Sequence, residues 1–567
     1  MDDNIPEQIY DLKSVKMPYL AGNKLKMFVS LLDGPTGGLL LGNLLKQAGI
    51  PWLRQQPFDE WPTFAPVVPV GPPVAQAQTL APGDWPDRQA FTPQDWRFST
   101  AFDYADAYRR GELSPEEVAE RLLAAVAASD EHAPPLRAFI EQDPEDVRRQ
   151  ARASAQRWRE GRPLSLLDGV PVAVKDELDM TPYGTHMGTS FLGKQPVTED
   201  AIAVARMRAA GALLVGKTNM HEIGIGVTGF NAHFGTPRNP YDPGHYTGGS
   251  SSGSAAAVAA GLVPIALGAD GGGSIRIPAA FCGVMGLKPT YGRVPESGSF
   301  ALDFTVAHVG PLAATVSDLA LAYAVIAGPD PRDRLSVQQS PPSLSGWTKT
   351  DLSDMTIGVF WPWFRHATEE MVQGNESMLA HFQELGATVK EIVIPDLEAS
   401  RIAHVITITT EMNQALDSYY DRHHKEMGMD VRISLALSRA FNARDFVLAQ
   451  RVRTRLMAHL RQAFEQVDVI VTPATGLTAP PIPESALPDG DSDLTTLTEI
   501  MRYAPFFNLS GHPAISFPVG YSDAGLPIGM QAIAPHWHEV SLFRLALAAE
   551  QQIQRRQPRI FYDILGR

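Results

Sequence analysis

Apolar positions along this chain follow two different rhythms. Between residues 7 and 48 they recur with helical spacing, at Ile9, Leu12, Val15, Leu20, Leu25, Phe28 and Leu31, then Leu39, Leu41, Leu44 and Leu45. Gly34-Pro35 divides that run into two helices. From about Phe91 onward, helical stretches alternate with short apolar runs of strand length, the rhythm of an α/β sheet. Ser114-Pro115-Glu116-Glu117 joins an N-cap, a proline at the first helical position and a glutamate at the third, so a helix starts there. Residues 136–140 read as a strand, and residues 144–160 as a charged helix. Residues 170–174 form a β-branched buried strand running into Lys175, and residues 198–210 a helix feeding a strand at 212–218. The alternation continues with a helix at 318–327, a strand at 355–360, a largely helical 398–460, a strand at 467–472 and a last helix at 540–553.

The two rhythms are separated by a proline-rich stretch, 51–93, where Pro57, Pro62, Pro66, Pro69, Pro72, Pro73, Pro82 and Pro86 recur without period. Such a stretch holds neither a helix nor a central strand, and reads as an extended strap or linker. The expected organisation is a helical arm at 1–50, the strap or linker at 51–90 and a catalytic body at 91–567. The arm is expected to pack on the body or on a second protomer, the latter giving a homodimer. Lys24, Lys26 and Lys46 beside its apolar residues offer the alternative of a membrane-surface contact or a hydrophobic-substrate collar.

Composition narrows the function classes. The 567 residues are 44% apolar and 20% charged, as in a globular protein, with a net charge of −15. That balance excludes a nucleic-acid partner, which needs clustered Lys and Arg. Met1-Asp2-Asp3 opens without the basic stretch of a signal peptide, and the apolar run 39–45 is too short to span a bilayer. The expectation is a soluble, cytoplasmic protein. Cys282, the single cysteine, rules out an intramolecular disulfide and sits among apolar neighbours, as a buried structural thiol does.

Candidate chemistry gathers between Gly248 and Thr290. Two serine-bearing glycine clusters, 248–254 and 271–274, flank a run of small residues. Such glycine density suits close backbone approach, and serines at such turns can be nucleophiles with free N–H groups beside them. Lys175, at the tip of a buried strand, either snorkels to a surface or sits where desolvation makes it a base. Two competing motifs are present. Residues 211–218 match a phosphate loop, but the intervening residues are themselves the strand rather than the loop after one. Gly249–Gly253 matches G-x-S-x-G centred on Ser251, which as an α/β-hydrolase would need His512 or His536, and no β-branched strand runs directly into Gly249. The histidine pairs 423/424 and 536/538 lack a third clustered ligand, so neither metal nor cofactor is expected.

Lys175, Gly248-Gly249-Ser250-Ser251, Gly271–Arg276 and Cys282–Thr290 together resemble the amidase signature family, the Ser-cisSer-Lys hydrolases. The 75 residues from Lys175 to Ser250 and the 24 from Ser250 to Ser274 match the family's spacing. The resemblance runs from about Phe91 to the C-terminus and takes in Gly216-Lys217-Thr218-Asn219 and Gly511-His512-Pro513-Ala514. It implies a large mixed twisted β-sheet covered by helices on both faces. It also implies Ser274 as nucleophile, Ser250 after a cis peptide as relay and Lys175 as base, neutral through burial. Gly271, Gly272, Gly273 and Ser274 would supply an oxyanion hole, Ser251 would help hold the lysine, and Asp270 and Arg276 would buttress the loop. Gly271 and Ser252 depart from the family pattern, and Gly271 is expected to loosen the loop. The implied activity is hydrolysis of a small, uncharged, partly apolar or aromatic amide or carbamate, with urethanase, aryl acylamidase or esterase side activity, and Ile223, Ile225, Val227 and Phe230 facing the substrate. The alternative within the family is the amidase-type component of a tRNA-dependent amidotransferase.

Overall fold

A computed structural model describes residues 10–35, 37–69, 96–337, 339 and 341–566. Its centre is an eleven-stranded sheet. Along the chain its strands are β1 Phe139–Glu141, β2 Pro171–Lys175, β3 Leu213–Thr218, β4 Ile265–Ala269, β5 Met285–Lys288, β6 Val309–Ala313, β7 Thr356–Val359, β8 Thr388–Glu391, β9 Val469–Pro473, β10 Ala514–Tyr521 and β11 Pro527–Ile533. In space they run β1-β3-β2-β4-β6-β5-β10-β11-β9-β7-β8. β2 lies parallel to both β3 and β4. The pairs from β4 through β9 are antiparallel, and β9-β7-β8 are parallel again. The fold is the expected mixed α/β sheet.

Apart from the edge strands β1 and β8, both faces of the sheet are buried, which is why most of its strands read as continuous apolar runs. Val469, Val471, Ile515 and Phe517 point into one core with Leu319 and Leu542 from flanking helices. Their neighbours Ile470, Ala514 and Ile533 point into a second core, shared with helices on the other side. Six helices bear on the site and the arm: α1 Gly22–Leu32, α2 Gly37–Gln47, α3 Ser252–Ala259, α4 Leu397–His423, α5 Met429–Arg439 and α6 Ala443–Phe464. The helix predicted from the Ser114 signature runs over Pro115–Glu131, closed by a reciprocal capping box between Ser114 and Glu117.

The arm differs in part from its sequence reading. Residues 10–19 are not helical although their apolar spacing is; Pro18 removes a backbone donor and the chain runs along the body instead. Leu12 still buries in the second core. α1 and α2 part at Gly34-Pro35 as expected, bent by 109°. Leu25, Val29, Leu32 and Leu44 pack on Ile433 of α5. Met27, Leu31 and Leu39 remain exposed. Among the described residues no single helix is long and apolar enough to cross a membrane. Residues 54–64 lie against α6: Thr63 N–H donates to Gln450 O at 3.2 Å and Thr454 Oγ1 to Trp61 O at 2.7 Å, and farther on Pro69 O accepts from Trp537 Nε1. The rest of the proline-rich stretch, 70–95, lies outside the described residues.

The arm is pinned by a two-stranded ribbon in which Leu20–Ala21 runs antiparallel to Asp491–Ser492. Burial, together with the nearby Asp430 and Asp493 carboxylates, pushes the Asp491 carboxyl up to about 6. The folded state therefore favours its protonated form. That contribution is fully present below the ordinary carboxylate value, about 3.9, and is lost as pH rises through about 6. Limited proteolysis near Leu20 should accelerate between pH 5 and pH 8 in the wild type relative to Asp491→Asn. Identical pH dependence in the two proteins would remove Asp491 from arm docking.

Candidate active site

β2 and β4 are neighbours, and their C-terminal ends deliver the two halves of the site to one place. β2 ends on Lys175, which is 1% exposed. Lys175 Nζ donates to Ser250 Oγ at 2.8 Å and to the Ala269 carbonyl at 3.3 Å, and lies 2.7 Å from the Glu177 carboxylate. Ser250 follows a cis Gly249–Ser250 peptide, and its carbonyl accepts from His221 N–H at 3.1 Å. Close backbone approach explains the glycines here. A Cβ on Gly249 would stand 2.8 Å from Gly229 N, and one on Gly253 2.2 Å from Ala138 O. Ser274 shares with Lys175 and Ser250 a narrow cavity, walled on its apolar side by Leu302, Ala307, Ile408 and Met412.

From Ala269 the chain turns through Asp270 and Gly271-Gly272-Gly273-Ser274 into a short helix, Arg276–Phe281. The turn is built on the buried Asp270 carboxylate. It accepts from Gly273 N–H (2.7 Å), Ile275 N–H (3.1 Å), Asn508 Nδ2 (2.9 Å) and, in a fork, Arg276 Nε and Nη2 (both 2.9 Å). Burial alone would raise this carboxyl; the Arg276 guanidinium and these hydrogen bonds overcome it and hold the group far below the usual carboxylate range. The N–H groups of Gly271, Gly272 and Ser274 form no hydrogen bond with a described residue. Three backbone donors beside a cavity-lining serine can receive an oxyanion.

A family model described as Amidase matches residues 120–543. The chain belongs to the amidase signature family. A fatty acid amide hydrolase from Medicago truncatula is 39% identical, covering 99% of this chain and 98% of the relative. A glutamyl-tRNA(Gln) amidotransferase subunit from Symbiobacterium thermophilum is 36% identical over 79% of this chain and 96% of its own length. Among solved structures, the peptide amidase of Stenotrophomonas maltophilia superposes with a TM-score of 0.71 at 29% identity, covering 82% of this chain and 99% of that one.

Most, not all, of the residues singled out in this amidase's sequence meet at the site. Lys175, Ser250, Ser274, Asp270 and Gly271 line the cavity. Ser251 Oγ donates to the Ala269 carbonyl at 3.2 Å, the same oxygen that Lys175 contacts, so it shares an acceptor with the lysine and does not touch it. That contact, and the lack of a histidine hydrogen-bonded to Ser251 among the described residues, also argues against the G-x-S-x-G reading. His512 and His536 stack on each other at 3.9 Å. Gly273 N–H is committed to Asp270 and leaves the set of free donors. Ile223, Ile225, Val227 and Phe230 do not line the cavity; only Gly224 of that segment does. Ile223 is buried in a cluster with Leu302 and Met412 instead, behind the wall. Gly271 does not loosen the loop, because a Cβ there would fall 1.8 Å from Asp303 Oδ2: the Asp303 carboxyl fills the space a side chain would take. Residues 213–218 are strand, with Lys217 buried and bonded to Leu178 O, so 211–218 is not a phosphate loop.

Sequence reasoning missed Glu177, Asp303, His404 and Asn508. For Glu177 there was a signal: two positions after Lys175 at a strand end, it falls on the same side of the chain. Asp303 is 4% exposed and faces the cavity. Burial, then Glu177 and Glu411 nearby, push its carboxyl well above the ordinary range.

The Asp270 linkage has a testable sign. A depressed carboxyl stabilises the fold above the unfolded value, about 3.9, and this stability is lost as pH falls toward the folded value. Asp270→Asn should cost about 3–5 kcal/mol at pH 7, as expected when one partner of a buried pair is removed. In urea titrations from pH 7 to pH 3 its stability should also fall less than that of the wild type. Parallel curves would show that Asp270 is not the linked group.

Proposed function

We propose that this amidase hydrolyses amides of long, apolar acyl groups through a Ser274 acyl-enzyme, with Ser250 as proton relay and Lys175 as base. The observation that carries the reading is the 2.8 Å contact from Lys175 to Ser250 in a cavity that Ser274 and Gly271 also line, in a loop with three free backbone N–H groups. The neutral lysine accepts the Ser250 proton as Ser250 accepts that of Ser274. Glu177, 2.7 Å from Lys175 Nζ, is within reach to exchange a proton with it. Ser274 Oγ then bonds to the substrate carbonyl carbon, and the N–H groups of Gly271, Gly272 and Ser274 stabilise the oxyanion. Ser250 returns a proton to the departing nitrogen as the C–N bond breaks. Water repeats the sequence on the acyl-enzyme and releases the acid.

Two observations support an apolar acyl group. Leu302, Ala307, Ile408 and Met412 give the cavity an apolar wall. The fatty acid amide hydrolase relatives match essentially the whole chain, arm included, whereas the amidotransferase relatives leave about a fifth of it unmatched. Small aromatic amides and carbamates suit the same uncharged walls and belong in the comparison.

A fluorophosphonate should label Ser274, and peptide mapping that finds the label elsewhere would overturn the assignment. Ser274→Ala and Lys175→Ala should lower kcat by about 10³-fold or more in folded protein. With purified chain, without ATP or tRNA, kcat/KM should rise with acyl length. Met412→Trp should lower it more for long-chain amides than for acetyl amides. Preference for short aromatic amides or carbamates would move the substrate class while leaving the triad.

A further inference from the structure

In a trans peptide the carbonyl and the N–H point in opposite directions, so whatever grips the carbonyl also aims the amide. Each of the three free N–H groups in the oxyanion loop belongs to a peptide whose carbonyl is gripped from behind. The Asp270 carbonyl, paired with Gly271 N–H, accepts from Asn508 Nδ2 at 2.7 Å. The Gly271 carbonyl, paired with Gly272 N–H, lies 2.8 Å from His404 Nε2. The Gly273 carbonyl, paired with Ser274 N–H, accepts from Ile277 N–H at 2.7 Å. Two of these grips come from distant side chains, and His404 comes from α4.

His404 is 1% exposed. Burial pulls its imidazole down to about 4, while the bond to the Gly271 carbonyl pulls the other way. A neutral ring facing a carbonyl oxygen carries its proton on Nε2 and donates it. The ring is also wedged against the loop: a Cβ on Gly272 would stand 2.8 Å from its Cε1, so glycine at 272 lets the ring approach.

We infer that His404 is a positioning residue of the oxyanion hole, whose Nε2–H, donated to the Gly271 carbonyl, aims and polarises the Gly272 N–H toward the oxyanion. The inference rests on the Ser274 acyl-enzyme reading. Hydrogen bonds in series strengthen one another, by roughly 10–30% per bond in condensed phases. The contribution is largest when the acceptor is an anion, so it falls on the transition state more than on bound substrate.

The test compares full-length wild type, His404→Gln, His404→Met and His404→Phe. Gln and Met are matched in length, but only Gln can donate. Each protein is measured for kcat and KM on one amide and for inhibition by a trifluoromethyl ketone, which forms a tetrahedral adduct with an oxyanion. Met and Phe should each lower kcat about 10- to 100-fold, less than the 10²–10³ lost with an oxyanion donor itself, with KM nearly unchanged. The ketone should weaken by the same factor, and Gln should recover most of both losses. Should one variant lacking the donor fail to fold, the other still gives the comparison with Gln. Equal losses in Gln and in the folded variant without a donor would overturn the inference, as would a kcat loss with ketone affinity unchanged. A wild type that turns over amide without fluorophosphonate labelling of Ser274 would instead overturn the acyl-enzyme reading.

Discussion

The buried pair of Asp270 and Arg276 is the constraint on which the site depends. A carboxylate fully out of water is tolerable only when its acceptor capacity is filled, and Asp270 fills it with backbone N–H groups of its own loop as well as with the guanidinium. The loop is thereby curled around the charge. The same requirement applies to Arg276, whose remaining N–H groups reach Ala504 O, Gln531 Oε1 on β11 and Asn508 Oδ1. One ion pair thus fixes the shape of the loop and ties it to the C-terminal half of the sheet. Lys175 arrives from the N-terminal half. The two halves meet because β4, which ends at Ala269, pairs with β2 on one side and β6 on the other.

The geometry of the donors follows from this electrostatic demand. Asp270 takes the Gly273 N–H, and the N–H groups of Gly271, Gly272 and Ser274 are left without a partner among the described residues. A glycine run is needed because backbone and bulky groups crowd it from both sides: Asp303 at Gly271, His404 at Gly272, and Ile277 with Ala504 at Gly273, where φ is +120°. A side chain at any of the three would displace a group that shapes the hole.

What could be read from the sequence was whatever is encoded locally or by family spacing. The capping box at Ser114, the break at Gly34-Pro35 and the strand ending on Lys175 are short-range chemistry, and all three are present. Asp303 and His404 act across 32 and 133 residues on Gly271, and nothing local marks them. The departure at Gly271 was the indirect clue, since a missing side chain in a packed loop implies that another group occupies its place. The segment 223–230 was misplaced for a related reason. Residues 224–246 are rich in Gly, Asn and Pro, yet Asn231 and Asn239 use their side-chain amides to bond backbone carbonyls of four residues, which draws the segment into the body. Its apolar residues then fill interior clusters and leave the cavity wall to others.

Half of that wall comes from α4. His404, Ile408 and Met412 are spaced by four, so they stand on one face of the helix, one turn apart. The first touches the oxyanion loop and the other two line the cavity. α4 is itself held from behind, by Gly49 of the arm packed on Ile402 and by α6, on which residues 54–64 lie. The apolar wall and the His404 contact to the oxyanion loop therefore share one helix, and the arm, although remote from Ser274, packs on that same helix at Ile402.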